Sequence, residues 1–192
     1  MSAFVCLLDR SGAPLDENAL ERLAEPLASY GSQVAAFRRG PVGIAIRHRG
    51  GPGALERHGP RVDPGTGRVA AVAGRLWPAD EAPEAAPAVG LQEGAGAAAL
   101  ALSGAAHPDP GRELDLLAGL CGSFVWIAAD PAAGWMRVSR DHLGNLKVYY
   151  FLDRRWLIAA SEPAAVLAHG AVSEELDEGA AARFLGFRFG HT

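Results

Sequence analysis

The chain has 192 residues, of which 49% are hydrophobic and 21% charged, which is typical of a globular domain large enough to bury a core. The formal net charge of −4 and the absence of a Lys/Arg block argue against nucleic-acid binding, because phosphate contacts require clustered positive charge. The sequence contains no apolar run of about 18 residues, as a membrane span would need, and its N-terminus lacks signal-peptide features. We therefore expect a cytoplasmic protein with no membrane contact.

The first half of the chain predicts strands around one helix. The run 2–9 predicts a strand, followed by a turn. A helix is predicted over 15–31, capped by Asp16 and ended by Gly31, because apolar residues recur at three- and four-residue spacing: Leu20, Leu23, Leu27 and Tyr30. Further strands are predicted at 32–40, 41–50 and 68–77, with a Gly/Pro-rich loop over 50–67.

The second half begins with a Pro/Ala/Glu-rich stretch over 78–96, which predicts a surface loop with weak helix. Helices are predicted over 96–107 and 111–122, then two strand hairpins over 123–141 and 147–161. Helices over 162–170 and 173–187 complete the pattern. The eight or nine strands, with helices grouped rather than alternating, favour an α+β fold with antiparallel sheets over a doubly wound nucleotide-binding fold.

Two cysteines, Cys6 and Cys121, lie in apolar strand-like runs. In a cytoplasmic protein this pattern favours two buried free thiols over a disulfide. No Cys/His cluster has metal-ligand spacing, so we expect no metal site.

Several spaced motifs follow one another in the second half: Gly122-x-Phe124, Arg140-Asp141-x-x-Gly144, Tyr149-Tyr150, and Ala160-Ser161-Glu162 followed by "AVLAH". In this order they resemble the glutaminase-type N-terminal domain of the asparagine synthetase family. These are class II glutamine amidotransferases, which use an N-terminal nucleophile (Ntn). The resemblance is strong from about Leu116 to Gly190 and weaker before that.

The resemblance implies a fold and a chemistry. The fold is a single four-layer αββα sandwich of two antiparallel sheets, spanning 1–192. In the family an N-terminal cysteine attacks the amide of glutamine, its own α-amine acts as base, and an Asn-Gly pair forms the oxyanion hole. A separate synthetase domain binds ATP and Mg²⁺ and adenylates a carboxylate. That domain, with its Ser-Gly-Gly pyrophosphate loop, is absent from this chain, so we expect no cofactor in this domain.

Aligned with the family, Ser2 takes the place of the nucleophilic cysteine. A serine activated by its own α-amine is chemically possible once Met1 is removed, but a hydroxyl is a weaker nucleophile than a thiol. Ala73-Gly74-Arg75 takes the place of Asn-Gly-Glu. Gly74 keeps a backbone N–H, whereas the side-chain oxyanion donor becomes a methyl group, a loss of about two to three orders of magnitude in rate. Arg75 would repel the substrate ammonium.

Other parts of the expected glutamine pocket also differ. Arg47 or Arg49 is a candidate for the clamp on the substrate carboxylate, although strict alignment puts His48 there. The Ser-Asp pair that contacts substrate is replaced by "GAGAAA" at 94–99, and the turn after the first helix reads "YGSQ" at 30–33. These losses, beside an intact scaffold, predict that glutamine hydrolysis has been abandoned.

The remaining polar and aromatic motifs predict structural roles. We interpret Arg140-Asp141 as an ion pair and turn, and Glu162 as capping or tying the helix that follows it. Surface or turn positions are expected for His48 and His142. Packing in the core and hairpins is expected for the four tryptophans, Trp77, Trp126, Trp135 and Trp156.

The leading functional hypothesis is a glutaminase-like domain of an ATP-dependent amide-bond-forming enzyme, of the kind found in lasso-peptide cyclases and β-lactam synthetases. Its partner would be the synthetase domain or chain, its substrate a peptide or small amino-acid-derived molecule, and a homodimer is possible. One alternative is an active amidotransferase that uses Ser2. The other is a non-catalytic module that binds a peptide or partner chain.

Overall fold

The computed structural model describes residues 2–50, 59–78 and 109–189. Two antiparallel sheets organise the protein. The first has the strand order β2-β3-β1-β9-β8 and the second β4-β5-β6-β7. Their strands are β1 Ser2–Asp9, β2 Gln33–Arg39, β3 Val42–His48, β4 Arg61–Val62, β5 Val69–Pro78, β6 Leu120–Asp130, β7 Trp135–Arg140, β8 Tyr149–Leu152 and β9 Trp156–Ala160.

Helices accompany the two sheets in the described part of the chain. They are α1 Ala19–Ala24, a 3₁₀ helix Glu25–Tyr30, α2 Pro110–Ala118, α3 Pro163–Leu167 and α4 Glu178–Phe189. None of these helices is long and apolar enough to cross a membrane. The prediction of an α+β fold with antiparallel sheets is confirmed.

The space between the sheets is filled by side chains that alternate along each strand. Even-numbered residues of β1 and β3 face odd-numbered residues of β5 and β6, since successive strand residues point to opposite faces. The members of this inner core are Phe4, Cys6, Leu8, Val42, Ile44, Ile46, Val69, Ala71, Ala73, Val125, Ile127, Ala129 and Ala159. Three of these members on β5 and β6 are alanines, Ala71, Ala73 and Ala129, whose small side chains pack between the two sheets.

The outer faces give two further apolar layers. On the first sheet, Ala3, Val5 and Leu7 pack with residues of α1, the 3₁₀ helix and α3. On the second sheet, Trp126 and Phe124 pack with Leu117 of α2. The resulting order is helix, sheet, sheet, helix, which agrees with the predicted four-layer sandwich.

An ion pair fastens α2 to the second sheet. Arg137 Nη1 of β7 donates to Glu113 Oε2 at 2.9 Å, and the Glu113 side chain is only 3% exposed. Arg137 also stacks on Trp135, with 4.4 Å from guanidinium carbon to ring centroid. A buried carboxylate needs such a cation, because its charge is costly to remove from water.

Two predicted helices differ from the observed ones. The helix expected over 15–31 is shorter and divides into α1 and the 3₁₀ helix, because Pro26 has no N–H for the helical hydrogen-bond ladder. Asn18 rather than Asp16 occupies the N-cap. The helix expected over 111–122 ends at Ala118, since the following residues pair with β5.

Other predictions are settled by burial. Cys6 is buried and Cys121 half-buried, and both are free thiols. Trp126 is 1% exposed, and Trp135 is partly buried in the same outer layer of the second sheet. Trp156 is partly buried in the outer layer of the first sheet. The side chain of Trp77, the helix predicted at 96–107 and all but the first residue of the loop predicted over 78–96 lie outside the described residues; that first residue, Pro78, ends β5. The last helix begins at Glu178, five residues later than predicted.

Candidate functional site

Ser2 lies at the start of β1, on the face that points between the two sheets. It alternates with Phe4 and Cys6 of the inner core. Across the gap, the backbone N–H of Gly74 in β5 donates a hydrogen bond to Ser2 Oγ at 2.9 Å. The fold therefore brings into contact the two residues to which the family resemblance assigned the nucleophile position and the backbone oxyanion donor.

Gly74 can occupy this position because it has no side chain. Its φ is +100°, a conformation that residues with a Cβ rarely adopt. A Cβ built there would lie 2.2 Å from the carbonyl oxygen of Ser123 and 2.6 Å from Leu146 Cδ1. The twist in β5 that directs this N–H toward Ser2 thus requires glycine. The preceding residue, Ala73, is 1% exposed and packs in the inner core, so its methyl group offers no hydrogen bond.

A row of polar side chains crosses the first sheet at the level of Ser2. Ser2 pairs with His48 of β3, and His48 pairs with Gln33 of β2. Directly paired residues of antiparallel strands project to the same face, about 5 Å apart. His48 is only 7% exposed, so the expectation of a surface or turn histidine is wrong. The alternation of β3 puts His48 on the Ser2 face because its neighbours Ile44 and Ile46 face the inner core.

The two arginines considered for carboxylate binding are engaged elsewhere. Arg47 pairs with Ala3, which faces the helix side of the first sheet. Its Nε donates to the carbonyl of Ala24 at 2.7 Å and its Nη1 to the carbonyl of Gly31 at 2.9 Å. Arg49 Nη2 donates to the carbonyl of Ser29 at 2.7 Å. The structure therefore does not bring Arg47 or Arg49 to the face on which Ser2 lies.

Arg75 follows Gly74 in β5 and is exposed. It pairs with Ser123 of β6, whose Oγ accepts a hydrogen bond of 2.9 Å from Asn145 Nδ2. This end of the sandwich therefore carries a cation and several neutral hydrogen-bonding groups near Gly74.

The Arg140-Asp141-x-x-Gly144 motif forms a turn. The buried Asp141 carboxylate accepts the backbone N–H groups of Phe124 at 3.3 Å and Asn145 at 3.2 Å. Gly144 has a φ of +66°, a conformation that favours glycine at this turn. Ion pairs within the described ranges do not include one between Arg140 and Asp141. The motif is structural, as predicted, but backbone hydrogen bonds replace the expected ion pair.

Glu162 has a different partner from the one predicted. It occupies the N-cap position of α3, but its side chain makes no capping hydrogen bond. Instead, its Oε1 accepts a hydrogen bond from the hydroxyl of Tyr30. This bond to a carboxylate, together with burial, raises the pKa of Tyr30 above its usual value. No local sequence pattern predicts the pairing, since 132 positions separate the two residues.

Across residues 2–50, 59–78 and 109–189, no three His, Cys, Asp or Glu side chains lie close enough together to hold a metal ion.

Comparison with known proteins shows the fold. No protein-family model matches the chain, and no curated protein matches it either. Among solved structures, sixteen chains match. One is glutamine phosphoribosylpyrophosphate amidotransferase from B. subtilis, in complex with ADP and GMP, with a TM-score of 0.55 and 12% sequence identity. The match covers 85% of this chain but only 42% of that one. The chain therefore has a glutamine amidotransferase-like, Ntn-type sandwich fold.

Proposed function

We propose that this chain is the glutaminase-like domain of an ATP-dependent amide-bond-forming enzyme of the asparagine synthetase type, and that it does not hydrolyse glutamine. In such an enzyme a peptide or amino-acid-derived substrate supplies its own amine, as in lasso-peptide cyclases and β-lactam synthetases. Ammonia from glutamine is then unnecessary, and the domain serves as a scaffold. ATP and Mg²⁺ would bind in the synthetase domain or chain.

The contact between Gly74 and Ser2 carries this proposal. Amide hydrolysis needs hydrogen-bond donors aimed at the oxygen that becomes negative in the transition state. Here the Gly74 N–H already donates to the resting hydroxyl of Ser2, at 2.9 Å. Ala73 supplies a buried methyl group where the family has a second donor. An incoming substrate amide would have to displace the hydrogen bond between Gly74 and Ser2, and it would find no second donor at Ala73.

The charges around the site support the same proposal. Arg75 adjoins Gly74, and a cation there disfavours the ammonium group of glutamine. His48 takes the place of an arginine on this face, and an imidazole offers fewer donors to the glutamine carboxylate than a guanidinium does. The substrate's amino-acid group would therefore meet a repelling cation at one end and fewer donors at the other.

One observation favours the alternative, an active amidotransferase. Ser2 Oγ is in contact with the remaining oxyanion donor, so a free α-amine on Ser2 would complete a nucleophile, a base and one donor. This alternative requires removal of Met1. It predicts ammonia release that depends on the Ser2 hydroxyl.

The deciding experiment combines intact mass spectrometry with an ammonia assay. We expect no ammonia above background from millimolar glutamine, whether or not Met1 is removed, and no gain from Ser2→Cys. Ser173→Ala, which changes an exposed serine, is the matched control for Ser2→Ala. The proposal would be refuted, and the alternative established, if the wild-type protein releases ammonia, Ser2→Ala abolishes the release and Ser173→Ala preserves it.

A further inference from the structure

A groove of about 440 Å³ lies on the helix side of the first sheet, away from Ser2. It is formed where the 3₁₀ helix, the end of β3 and the start of α3 meet. Its lining residues are Pro26, Ser29, Tyr30, Arg49, Glu162 and Ala164. A volume of this size falls in the range of about 300–1,000 Å³ found for small-molecule sites.

The groove carries one cation and one anion, each held in place by a neighbour. Arg49 is fixed by its 2.7 Å hydrogen bond to the carbonyl of Ser29. A guanidinium has five N–H donors, so this bond leaves donors for a ligand. Glu162 is fixed by the hydroxyl of Tyr30 on Oε1, and a carboxylate has a second oxygen with which to accept.

The two charges do not neutralise each other by direct contact. The ion pairs formed within the described part of the chain do not include one between Arg49 and Glu162, although both line the same groove. The rest of the lining is largely apolar, with Pro26, Ala164 and the ring of Tyr30. A ligand that fits this surface has an anionic group, a cationic group and a modest apolar part.

We propose that this groove binds a free amino acid as its zwitterion. The ligand's carboxylate is recognised by Arg49 and its ammonium group by Glu162, while its side chain lies on Pro26, Ala164 and the Tyr30 ring. Because the groove opens on the face of the sheet opposite Ser2, the inference does not depend on the fate of glutamine hydrolysis.

The test is a two-dimensional ¹H–¹⁵N NMR titration of the full chain with L-leucine at millimolar concentration. We expect saturable shifts of the backbone amides of Ser29, Tyr30, Arg49 and Ala164. N-acetyl-L-leucine lacks the ammonium and L-leucinamide lacks the carboxylate, so each should bind about tenfold more weakly, the equivalent of one charged contact. Equal binding of the three compounds, or shifts centred on Ser2 and Gly74 instead, would overturn the proposal.

Two variants locate the charges. Arg49→Gln should remove the preference for leucine over leucinamide, and Arg49→Lys should restore part of it. Glu162→Gln keeps an acceptor for Tyr30 but should remove the preference for leucine over the N-acetyl compound. The controls are Arg154→Gln and Glu175→Gln, exposed residues outside the groove. The inference would be contradicted if Arg49→Gln and Glu162→Gln bind the ligands as the wild type does while their spectra show the native fold.

Discussion

Replacing Gly74 by alanine tests the geometry on which the candidate site depends. The new methyl group would lie 2.2 Å from the carbonyl oxygen of Ser123, and that oxygen is backbone in the adjacent strand. A side chain could rotate away from the methyl, but backbone held in the β5–β6 ladder cannot move without disturbing the pairing. The residue would also have to keep a φ of +100°.

The expected cost has two parts. A non-glycine residue in a sparsely populated region of φ and ψ costs about 1–3 kcal/mol. The contact with the Ser123 carbonyl adds strand displacement, and overpacking of a tight site costs about 1–3 kcal/mol more. The sum, about 2–6 kcal/mol, is a large part of the total stability of a typical domain, which is about 5–15 kcal/mol.

Gly134 is the matched control, since it has a φ of +67° and a Cβ there would meet nothing within 4 Å. Gly134→Ala should therefore cost only the backbone part, about 1–2 kcal/mol. The assay is urea unfolding at pH 7 followed by far-ultraviolet circular dichroism. If Gly74→Ala is destabilised by no more than Gly134→Ala, the proposed close approach of β5 and β6 at Gly74 is wrong. If Gly74→Ala fails to fold and Gly134→Ala folds, the result agrees with that close approach.

Two further predictions concern ionisable groups in β1. Burial alone would raise the pKa of Asp9, but hydrogen bonds from Ser11 and Arg155 outweigh it and hold that pKa below its usual value. The Asp9 carboxylate therefore stabilises the fold above about pH 4, and this stabilisation is lost as pH falls further. Urea unfolding between pH 5 and 2 should show a shallower loss of stability for Asp9→Asn than for the wild type, and equal slopes would contradict the assignment. Burial also raises the pKa of the Cys6 thiol to about 12, in spite of a hydrogen bond to the Ala159 backbone. Iodoacetamide at pH 8 should label the half-buried Cys121 in the native protein and Cys6 only after unfolding, as peptide mass spectrometry would show; early labelling of Cys6 would oppose this.

The strands were predictable because their signals are local. The apolar run of β1 and the hairpin that turns between Asp130 and Gly134 can be read directly from neighbouring residues. The helix predicted over 15–31 was less accurate because its apolar spacing continues through Pro26, while the hydrogen-bond ladder does not. Apolar periodicity alone thus overestimated the length of that helix.

The site was only partly predictable. The motif resemblance nominated Ser2 and Gly74, and the fold brings them into hydrogen-bond contact although 72 positions separate them. It also proposed Arg47 and Arg49, whose side chains the structure engages on the opposite side of the first sheet. A one-residue shift in a strand reverses the face to which a side chain points, and the register with β1 puts His48, the residue that strict alignment placed at this position, on the Ser2 face.

The sequence by itself determined the alternating strands, the sheet-rich fold class, the methyl group at Ala73 and the cation at Arg75. These are properties of residue type and short-range spacing. The tertiary structure alone decided that the Gly74 N–H meets Ser2 Oγ, that His48 faces inward, and that Tyr30 binds Glu162. Each of these contacts depends on how two segments far apart in the chain pack together and in which register their strands pair. Local sequence patterns carry no information about that packing.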